Sequence, residues 1–170
     1  LTLDELGELH RRGEIETVIC ALPDLYGRLV GKRVRTGIFL SVALRDEGLH
    51  GSLAVLCLDM DMEPRQSFAL SGWRDGFRDF RFSPDVTTLR KIPWQDKTAL
   101  VMCDACHEGS DALVEEAPRT ILRRQIERAA KLGLATKTAT ELEFYLFQGS
   151  LDEAWRTRYA NLVPTSRYRS

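Results

Sequence analysis

Residues 16–34 read Glu-Thr-Val-Ile-Cys-Ala-Leu-Pro-Asp-Leu-Tyr-Gly-Arg-Leu-Val-Gly-Lys-Arg-Val. The apolar and β-branched residues in Glu16–Leu22 and in Leu29–Val34 are typical of strands. Between them, Asp24-Leu-Tyr-Gly-Arg28 supplies the aspartate and glycine that favour a tight turn. This stretch therefore predicts a β-hairpin, around which a small α+β domain can be arranged.

Further elements are predicted on both sides of the hairpin. A helix from Leu3 to about Arg12 is indicated by Thr2-Leu-Asp-Glu5, which has the spacing of a capping box. Downstream we predict a helix capped by Thr36 and running through Leu44, a strand Ser52–Asp59, a loop Met60–Pro84, and strands Arg90–Ile92 and Thr98–Cys103. Loops as long as Met60–Pro84 are usually functional or disordered.

The second part of the chain follows a polar stretch, Ala105–Ala117, which we interpret as a linker. Pro118 suits the first position of a helix, and Gly133 suits its end, so we predict a helix Pro118–Leu132 with an apolar stripe. A strand Ala135–Phe147 and a helix Ser150–Tyr159 are predicted next. Because helix, strand and helix cannot bury their apolar faces alone, we expect this domain to be truncated. The predicted domains are residues 1–108 and residues 109–170.

The charge balance excludes some kinds of partner. The 170 residues include 24 basic and 25 acidic side chains, which predicts no nucleic-acid partner and no anionic membrane surface. No apolar run approaches the roughly 20 residues that span a bilayer. Leu1–Glu5 lacks the basic and apolar start of a signal peptide, so we expect a cytoplasmic location.

The four cysteines favour a structural interpretation. Cys20 and Cys57 lie in apolar runs, where free thiols behave as small core residues. Cys103 and Cys106 have C-x-x-C spacing, but a zinc site needs a second pair of ligands, and a redox motif would normally open a helix. We therefore interpret all four as core residues.

Two carboxylates in Thr140-Glu-Leu-Glu-Phe-Tyr-Leu-Phe147 are candidate metal ligands. On a strand, Glu141 and Glu143 would project from one face, roughly 6.6 Å apart. The opposite face would bury Leu142, Phe144 and Leu146. Adjacent carboxylates repel unless a cation lies between them, and Mg²⁺ or Mn²⁺ prefers oxygen ligands of this kind. From spacing alone, an exposed charged strand end is the favoured interpretation of the pattern.

An ordered set of motifs resembles the glutamine synthetase family. Thr140–Phe147 resembles the Glu-x-Glu metal strand that opens the family's catalytic domain, and Pro118–Gln125 resembles the preceding helix. Four stretches resemble parts of the family's β-grasp amino-terminal domain: Asp24–Arg33, Trp73–Asp85, Thr88–Trp94 and Ala99–Asp104. The resemblance implies an α+β chain: a β-grasp domain followed by the first elements of a catalytic domain.

This resemblance implies an ATP-dependent carbon–nitrogen ligase. In the family, ATP phosphorylates the γ-carboxylate of glutamate, and ammonia or an amine then displaces the phosphate. Glu141 and Glu143 would bind different ions of a Mg²⁺ or Mn²⁺ cluster. Asp79 matches a family aspartate near the ammonium side, with a turn-capping carboxylate as the alternative. The other metal ligands and the nucleotide contacts would follow Ser170, so the chain alone is expected to be inactive.

The family also suggests an assembly. Its members form double-ring homo-oligomers, typically dodecamers, with active sites between one subunit's catalytic domain and its neighbour's β-grasp domain. The loop before Pro84 would face the neighbour's site.

One departure from the family pattern bears on the acceptor. Ammonia-using members carry Asp-Gly-Ser-Ser where this chain has Arg65-Gln-Ser-Phe-Ala69. Gln66 offers a hydrogen-bond acceptor but no base for ammonium, which favours ligation of glutamate to an organic amine. Two other functions stay open: an inactive assembly or scaffold protein, and a free-standing β-grasp binding module.

Overall fold

Five strands form one mixed sheet in the computed structural model, which describes residues 1–43, 45, 48–65 and 69–166. The strands are β1 Thr17–Pro23, β2 Leu29–Arg35, β3 Leu49–Ser52, β4 Asp79–Lys91 and β5 Thr98–His107. Their order is β2-β1-β5-β4-β3, in which β1 runs parallel to β5 and the other neighbours are antiparallel. The predicted α+β class is confirmed.

The predicted hairpin is present as β1 and β2, paired from Thr17 opposite Arg35 to Pro23 opposite Leu29. Gly31 on β2 lies unusually close to the backbone of β1. A Cβ atom at this position would fall 2.0 Å from the carbonyl oxygen of Cys20. No side-chain rearrangement can relieve a contact with backbone, so the hairpin requires glycine here.

The substitution Gly31→Ala is expected to destabilise this chain by about 1–3 kcal/mol, because the two strands must separate locally to admit the methyl group. Urea unfolding followed by circular dichroism measures the change. Gly7→Ala on the first helix is the control, since its Cβ would meet only Leu40 at 4.0 Å. Alanine also favours a helix over glycine by about 0.5–1 kcal/mol, so the control should be neutral or stabilising. Equal stability of the two variants would contradict the prediction.

The α-helices are α1 Leu3–Arg11, α2 Thr36–Ile38, α3 Pro118–Lys131 and α4 Leu151–Arg156. On α1 both hydrogen bonds of the predicted capping box are present. The predicted cap on the next helix is wrong: Arg35 is the N-cap residue, and the Thr36 hydroxyl donates to the carbonyl oxygen of Ile15 at 3.5 Å. That helix continues as a π-helix over Phe39–Ala43, and the predicted end at Leu44 lies outside the described residues.

The predicted strand Ser52–Asp59 is wrong beyond its first residue. Residues Leu53–Cys57 form a 3₁₀ helix, and the Ser52 hydroxyl accepts a hydrogen bond from the N–H of Ala54 at 3.2 Å. Leu53, Leu56 and Cys57 are each about 1 % exposed. Their spacing places them on one face of the helix, so the apolar residues of this run are buried as one helical face and not as one face of a strand.

The predicted loop Met60–Pro84 is too long. A 3₁₀ helix spans Trp73–Asp75, and β4 already begins at Asp79. Phe80 and Phe82 alternate inward from that strand and are 0 % and 2 % exposed. The strand predicted at Arg90–Ile92 is therefore the end of a longer one, and the register shifts between Asp85 and Arg90.

The core lies on one face of the sheet, beneath α1 and the 3₁₀ and π segments. Its largest fully buried side chains are those of Leu6, Ile15, Val18, Leu22, Phe39, Leu53, Leu56, Phe80, Leu89, Val101 and Val114. None of the helices in the part of the chain described is long and apolar enough to cross a membrane.

The predicted linker Ala105–Ala117 is partly structured. Its first three residues end β5, and Val114 is fully buried, with its N–H donating to the carbonyl oxygen of Ala105 at 2.8 Å. The helix that follows, α3, is confirmed within one residue at its end. Two compact units result, Leu1–Ala135 and Thr136–Ser170. The domain division after residue 108 stays a prediction.

The second unit contains little regular structure. The predicted strand Ala135–Phe147 is wrong except at its last residue, because only β6 Phe147–Gln148 finds a partner, β7 Val163–Pro164. A strand persists only where a neighbour takes its N–H and C=O groups. The carbonyl oxygen of Leu146 accepts from the N–H of Thr165 at 3.0 Å, but residues 136–145 form no strand pair among the residues described. The predicted last helix is present but shorter, and the Ser150 hydroxyl caps it.

Candidate functional site

The two carboxylates predicted to bind metal lie in an extended segment of the second unit. Glu141 and Glu143 are both exposed. Carboxylate oxygens suit Mg²⁺ or Mn²⁺, but Mg²⁺ takes about six oxygen ligands. Within the described part of the chain, no three His, Cys, Asp or Glu side chains gather where they could hold a metal. The donor type fits, and further ligands must come from elsewhere to complete a site.

The apolar side chains around these glutamates are exposed. Burial of one strand face was predicted, yet the exposed fractions are 80 % for Leu142, 74 % for Phe144 and 63 % for Leu146. That prediction is wrong for the residues described, since no sheet forms there. Exposed apolar surface of this extent is typical of a surface that another segment or molecule covers.

Asp79, the third candidate, is the first residue of β4 and lies opposite Ser52. The backbone around it is fixed. The N–H of Leu53 donates to the carbonyl oxygen of Arg78 at 2.8 Å, and the Ser52 hydroxyl donates to that of Phe77 at 3.3 Å. The Asp79 side chain is exposed. In the described ranges its carboxylate caps no turn, which leaves it available to a ligand.

The position expected to distinguish the acceptor, Gln66, lies outside the described residues. The chain leading to it is held in place. The N–H of Arg65 donates to the carbonyl oxygen of Cys57 at 2.9 Å, and its guanidinium pairs with the carboxylate of Asp59. The residue just before Gln66 is therefore held by contacts with Cys57 and Asp59.

A buried aspartate organises the hairpin turn. Asp24 is 1 % exposed, and its Oδ1 accepts hydrogen bonds from the N–H groups of Tyr26 and Arg28, each at 2.9 Å. Burial acts to raise the pKa of Asp24, but the hydrogen bonds from the Arg28 side chain and from these two N–H groups outweigh it and hold the pKa below its ordinary value. The carboxylate is therefore charged and fixed.

An ion-pair cluster attaches α3 to the sheet. Arg119 donates from Nε to Asp104 on β5 at 2.7 Å and from Nη2 to Asp85 on β4 at 2.8 Å, and Arg123 also pairs with Asp104. Asp104 is 8 % exposed, whereas the side chains of Arg119 and Arg123 are 24 % and 47 % exposed, so the cluster is a partly buried network centred on Asp104. The cluster fixes the first turns of α3 on the sheet.

The cysteines of the C-x-x-C spacing lie inside the sheet. Cys103 and Cys106 are 0 % and 3 % exposed. A hydrogen bond with Cys20 and burial raise the pKa of Cys103, and burial raises that of Cys106. Protonated, buried thiols are poor nucleophiles and poor ligands, as expected of core residues.

Comparison with known proteins identifies similar sequences. The family described as glutamine synthetase, catalytic domain, matches residues 115–169. Gamma-glutamylethanolamide synthetase GlnA4 of Streptomyces coelicolor is 41 % identical over 169 residues, which cover 99 % of this chain and 36 % of that protein. Glutamate–isopropylamine ligase of a Pseudomonas species is 33 % identical over 153 residues, covering 90 % of this chain and 33 % of that protein.

Solved structures support the fold. A structure titled GmaS/ADP complex superposes with a TM-score of 0.55 at 23 % identity, covering 75 % of this chain and 26 % of that one. A structure of GmaS without ligand gives 0.54 at 24 % identity. The chain spans about a third of the length of the curated relatives it matches.

Proposed function

The chain belongs to the glutamine synthetase family, within its γ-glutamyl-amine ligase branch, and on that premise we propose that the full-length protein is an ATP-dependent ligase joining glutamate to an organic amine. The observation that carries this proposal is the 41 % identity, along 99 % of the chain, with a γ-glutamylethanolamide synthetase. The match includes both the amino-terminal sheet and the segment with the two glutamates, so it does not rest on one motif.

The proposed reaction has two steps. An oxygen of the glutamate γ-carboxylate attacks the terminal phosphorus of ATP, and ADP leaves. The amine nitrogen then attacks the γ-carbonyl carbon of the resulting γ-glutamyl phosphate, phosphate leaves, and the nitrogen loses a proton. Asp79 is assigned to the amine side, where its exposed carboxylate would bind the ammonium form and accept its first proton, so that the neutral nitrogen can attack; the second proton, lost after the attack, goes to the departing phosphate.

Glu141 and Glu143 are assigned as ligands of divalent metal ions, together with residues beyond this chain. Bound Mg²⁺ or Mn²⁺ would neutralise phosphate charge during transfer. The exposed Leu142, Phe144 and Leu146 are consistent with this assignment, because exposed apolar side chains beside the two glutamates indicate that another part of the full-length protein covers this segment.

The finer features of the fold follow from the same proposal. The sheet with β1 parallel to β5 would be the family's β-grasp domain, and the segment from about residue 109 would open the catalytic domain. We also propose a cytoplasmic, double-ring homo-oligomer in which the loop before Pro84 faces the active site of a neighbouring subunit.

The acceptor is expected to be an organic amine rather than ammonia, because Gln66 offers no base where ammonia-using members carry aspartate. Phosphate release by the full-length enzyme with ATP and glutamate should be compared for ethanolamine, ethylamine, putrescine and ammonium. We expect kcat/KM for at least one organic amine to exceed that for ammonium roughly tenfold or more, as for a site that loses one charged contact to ammonium. The highest kcat/KM with ammonium would refute the assignment.

A further inference from the structure

One side chain joins the hairpin turn to the start of the segment that leads to Asp79. Arg28 donates from Nε to Asp24 Oδ2 at 2.7 Å, from Nη1 to the carbonyl oxygen of Met60 at 3.0 Å, and from Nη2 to that of Asp59 at 2.8 Å. The two contacts with carbonyl oxygens span 31 and 32 residues of sequence, so they are tertiary contacts and not part of the turn itself.

The arrangement requires arginine. All three nitrogen atoms of the guanidinium are used, in one plane, on three different acceptors. A lysine carries one nitrogen and cannot reach the three acceptors in the same way. The charge-assisted bond to the buried Asp24 orients the group, and the ring of Tyr26 lies 5.2 Å from its central carbon, within the range of a cation–π contact.

The turn held by Arg28 is itself closed. Oδ1 of Asp59 accepts from the N–H groups of Asp61 at 2.9 Å and Glu63 at 3.0 Å, and its Oδ2 pairs with Arg65. Arg28 therefore fixes a rigid turn, from residue 59 to residue 65, against the β1–β2 hairpin. The far end of the same segment is fixed where Asp79 starts β4.

We propose that Arg28 is a positioning residue for the amine side of the active site. It acts through the carbonyl groups of Asp59 and Met60, which set where the chain from Arg65 onward begins. This inference rests on the proposed function, in which the loop before Pro84 faces the amine. The proposed function assigns the glutamate and ATP contacts mainly to residues outside this turn, so loosening the turn should weaken amine binding selectively.

The test is Arg28→Lys in the full-length protein, with KM measured separately for ATP, glutamate and the amine that wild type prefers in the panel above. We expect KM for the amine to rise roughly tenfold, with both other KM values and kcat at saturating amine within about twofold of wild type. Arg90→Lys is the matched control, because Arg90 is an exposed arginine whose guanidinium, among the residues described, donates only to the carbonyl oxygen of Thr88, two residues away.

If Arg28 has only a structural role, Arg28→Lys will lower the thermal midpoint of unfolding or change all three KM values together. Either result, without a selective rise in KM for the amine, overturns the inference. Should Arg28→Lys fail to fold, Asp24→Asn replaces it; this variant removes the charge that orients Arg28 and must show the same selectivity. If wild type shows amine-dependent turnover but the variants show no selective change in KM for the amine, only the proposed role of Arg28 is rejected. Absence of amine-dependent phosphate release in wild type rejects the proposed function as well.

Discussion

Replacing Glu141 or Glu143 with alanine in the full-length protein is expected to abolish metal-dependent ligase activity. Metal ions at a phosphoryl-transfer site stabilise the transition state by several kcal/mol, and each 1.36 kcal/mol is a factor of ten in rate. Loss of one metal ligand should therefore lower kcat on the order of a thousandfold. Phosphate release at saturating ATP, glutamate and amine, titrated with Mn²⁺, measures both kcat and the metal dependence.

The fold should tolerate these changes, because both side chains are exposed and lie in no helix or strand of this chain. Glu127→Ala serves as the control, since Glu127 is an exposed carboxylate on α3 that has no assigned role. Its activity should equal that of wild type. Wild-type turnover in Glu141→Ala or Glu143→Ala would rule out the metal assignment.

Elements with short-range signals could be predicted from the sequence. The capping box at Thr2 and Glu5, the turn at Asp24–Arg28 and the Pro118 start of α3 are all present. In each of them the decisive hydrogen bond or backbone constraint involves residues only a few positions apart. Such features can be predicted without knowledge of the tertiary fold, although the cap predicted at Thr36 fails because its hydroxyl donates to Ile15 instead.

Strands were harder to predict, because a strand depends on partners that periodicity does not reveal. The apolar run from Leu53 has the composition of a strand, yet it lies outside the sheet and buries itself as a 3₁₀ helix. β4 begins earlier than expected because β3 and β5 both pair with it from the start. The segment 136–145 has strand-like alternation but pairs with no strand among the residues described.

The candidate site shows the same limit. Spacing and resemblance single out Glu141 and Glu143, and resemblance singles out Asp79. Nothing in the sequence indicates that Arg28 reaches the carbonyl groups of residues 59 and 60, or that Arg119 bridges aspartates 15 and 34 residues away. A surface arginine and a bridging arginine look alike until the fold brings their acceptors together.

Arg119→Met is expected to destabilise this chain by about 2–4 kcal/mol, the second large effect we predict. The substitution keeps a long side chain over the sheet. Among the residues described, it leaves Asp104, which is 8 % exposed, with Arg123 as its one remaining ion-pair partner, and it leaves Asp85 without an ion-pair partner. Removing one partner from a largely buried ion pair leaves a poorly compensated charge, which costs more than the net worth of the pair. Urea unfolding at pH 7, followed by circular dichroism, gives the change in the free energy of unfolding.

The control and the pH dependence distinguish this cluster from an ordinary surface pair. Arg124→Met on the same helix breaks a pair with Glu115 whose side chains are 48 % and 69 % exposed, so it should cost no more than about 1 kcal/mol. The Thr87 hydroxyl and then Arg119 hold the pKa of Asp85 below its ordinary value, against the effect of burial. A depressed pKa contributes stability above the unfolded-state value, about 3.9, and that stability is lost as pH falls through the folded-state value. The difference between Arg119→Met and wild type should therefore be complete at pH 7 and narrow below about pH 4. A difference that persists undiminished in acid would mean that lost packing of the Arg119 side chain, and not its charge, explains the effect.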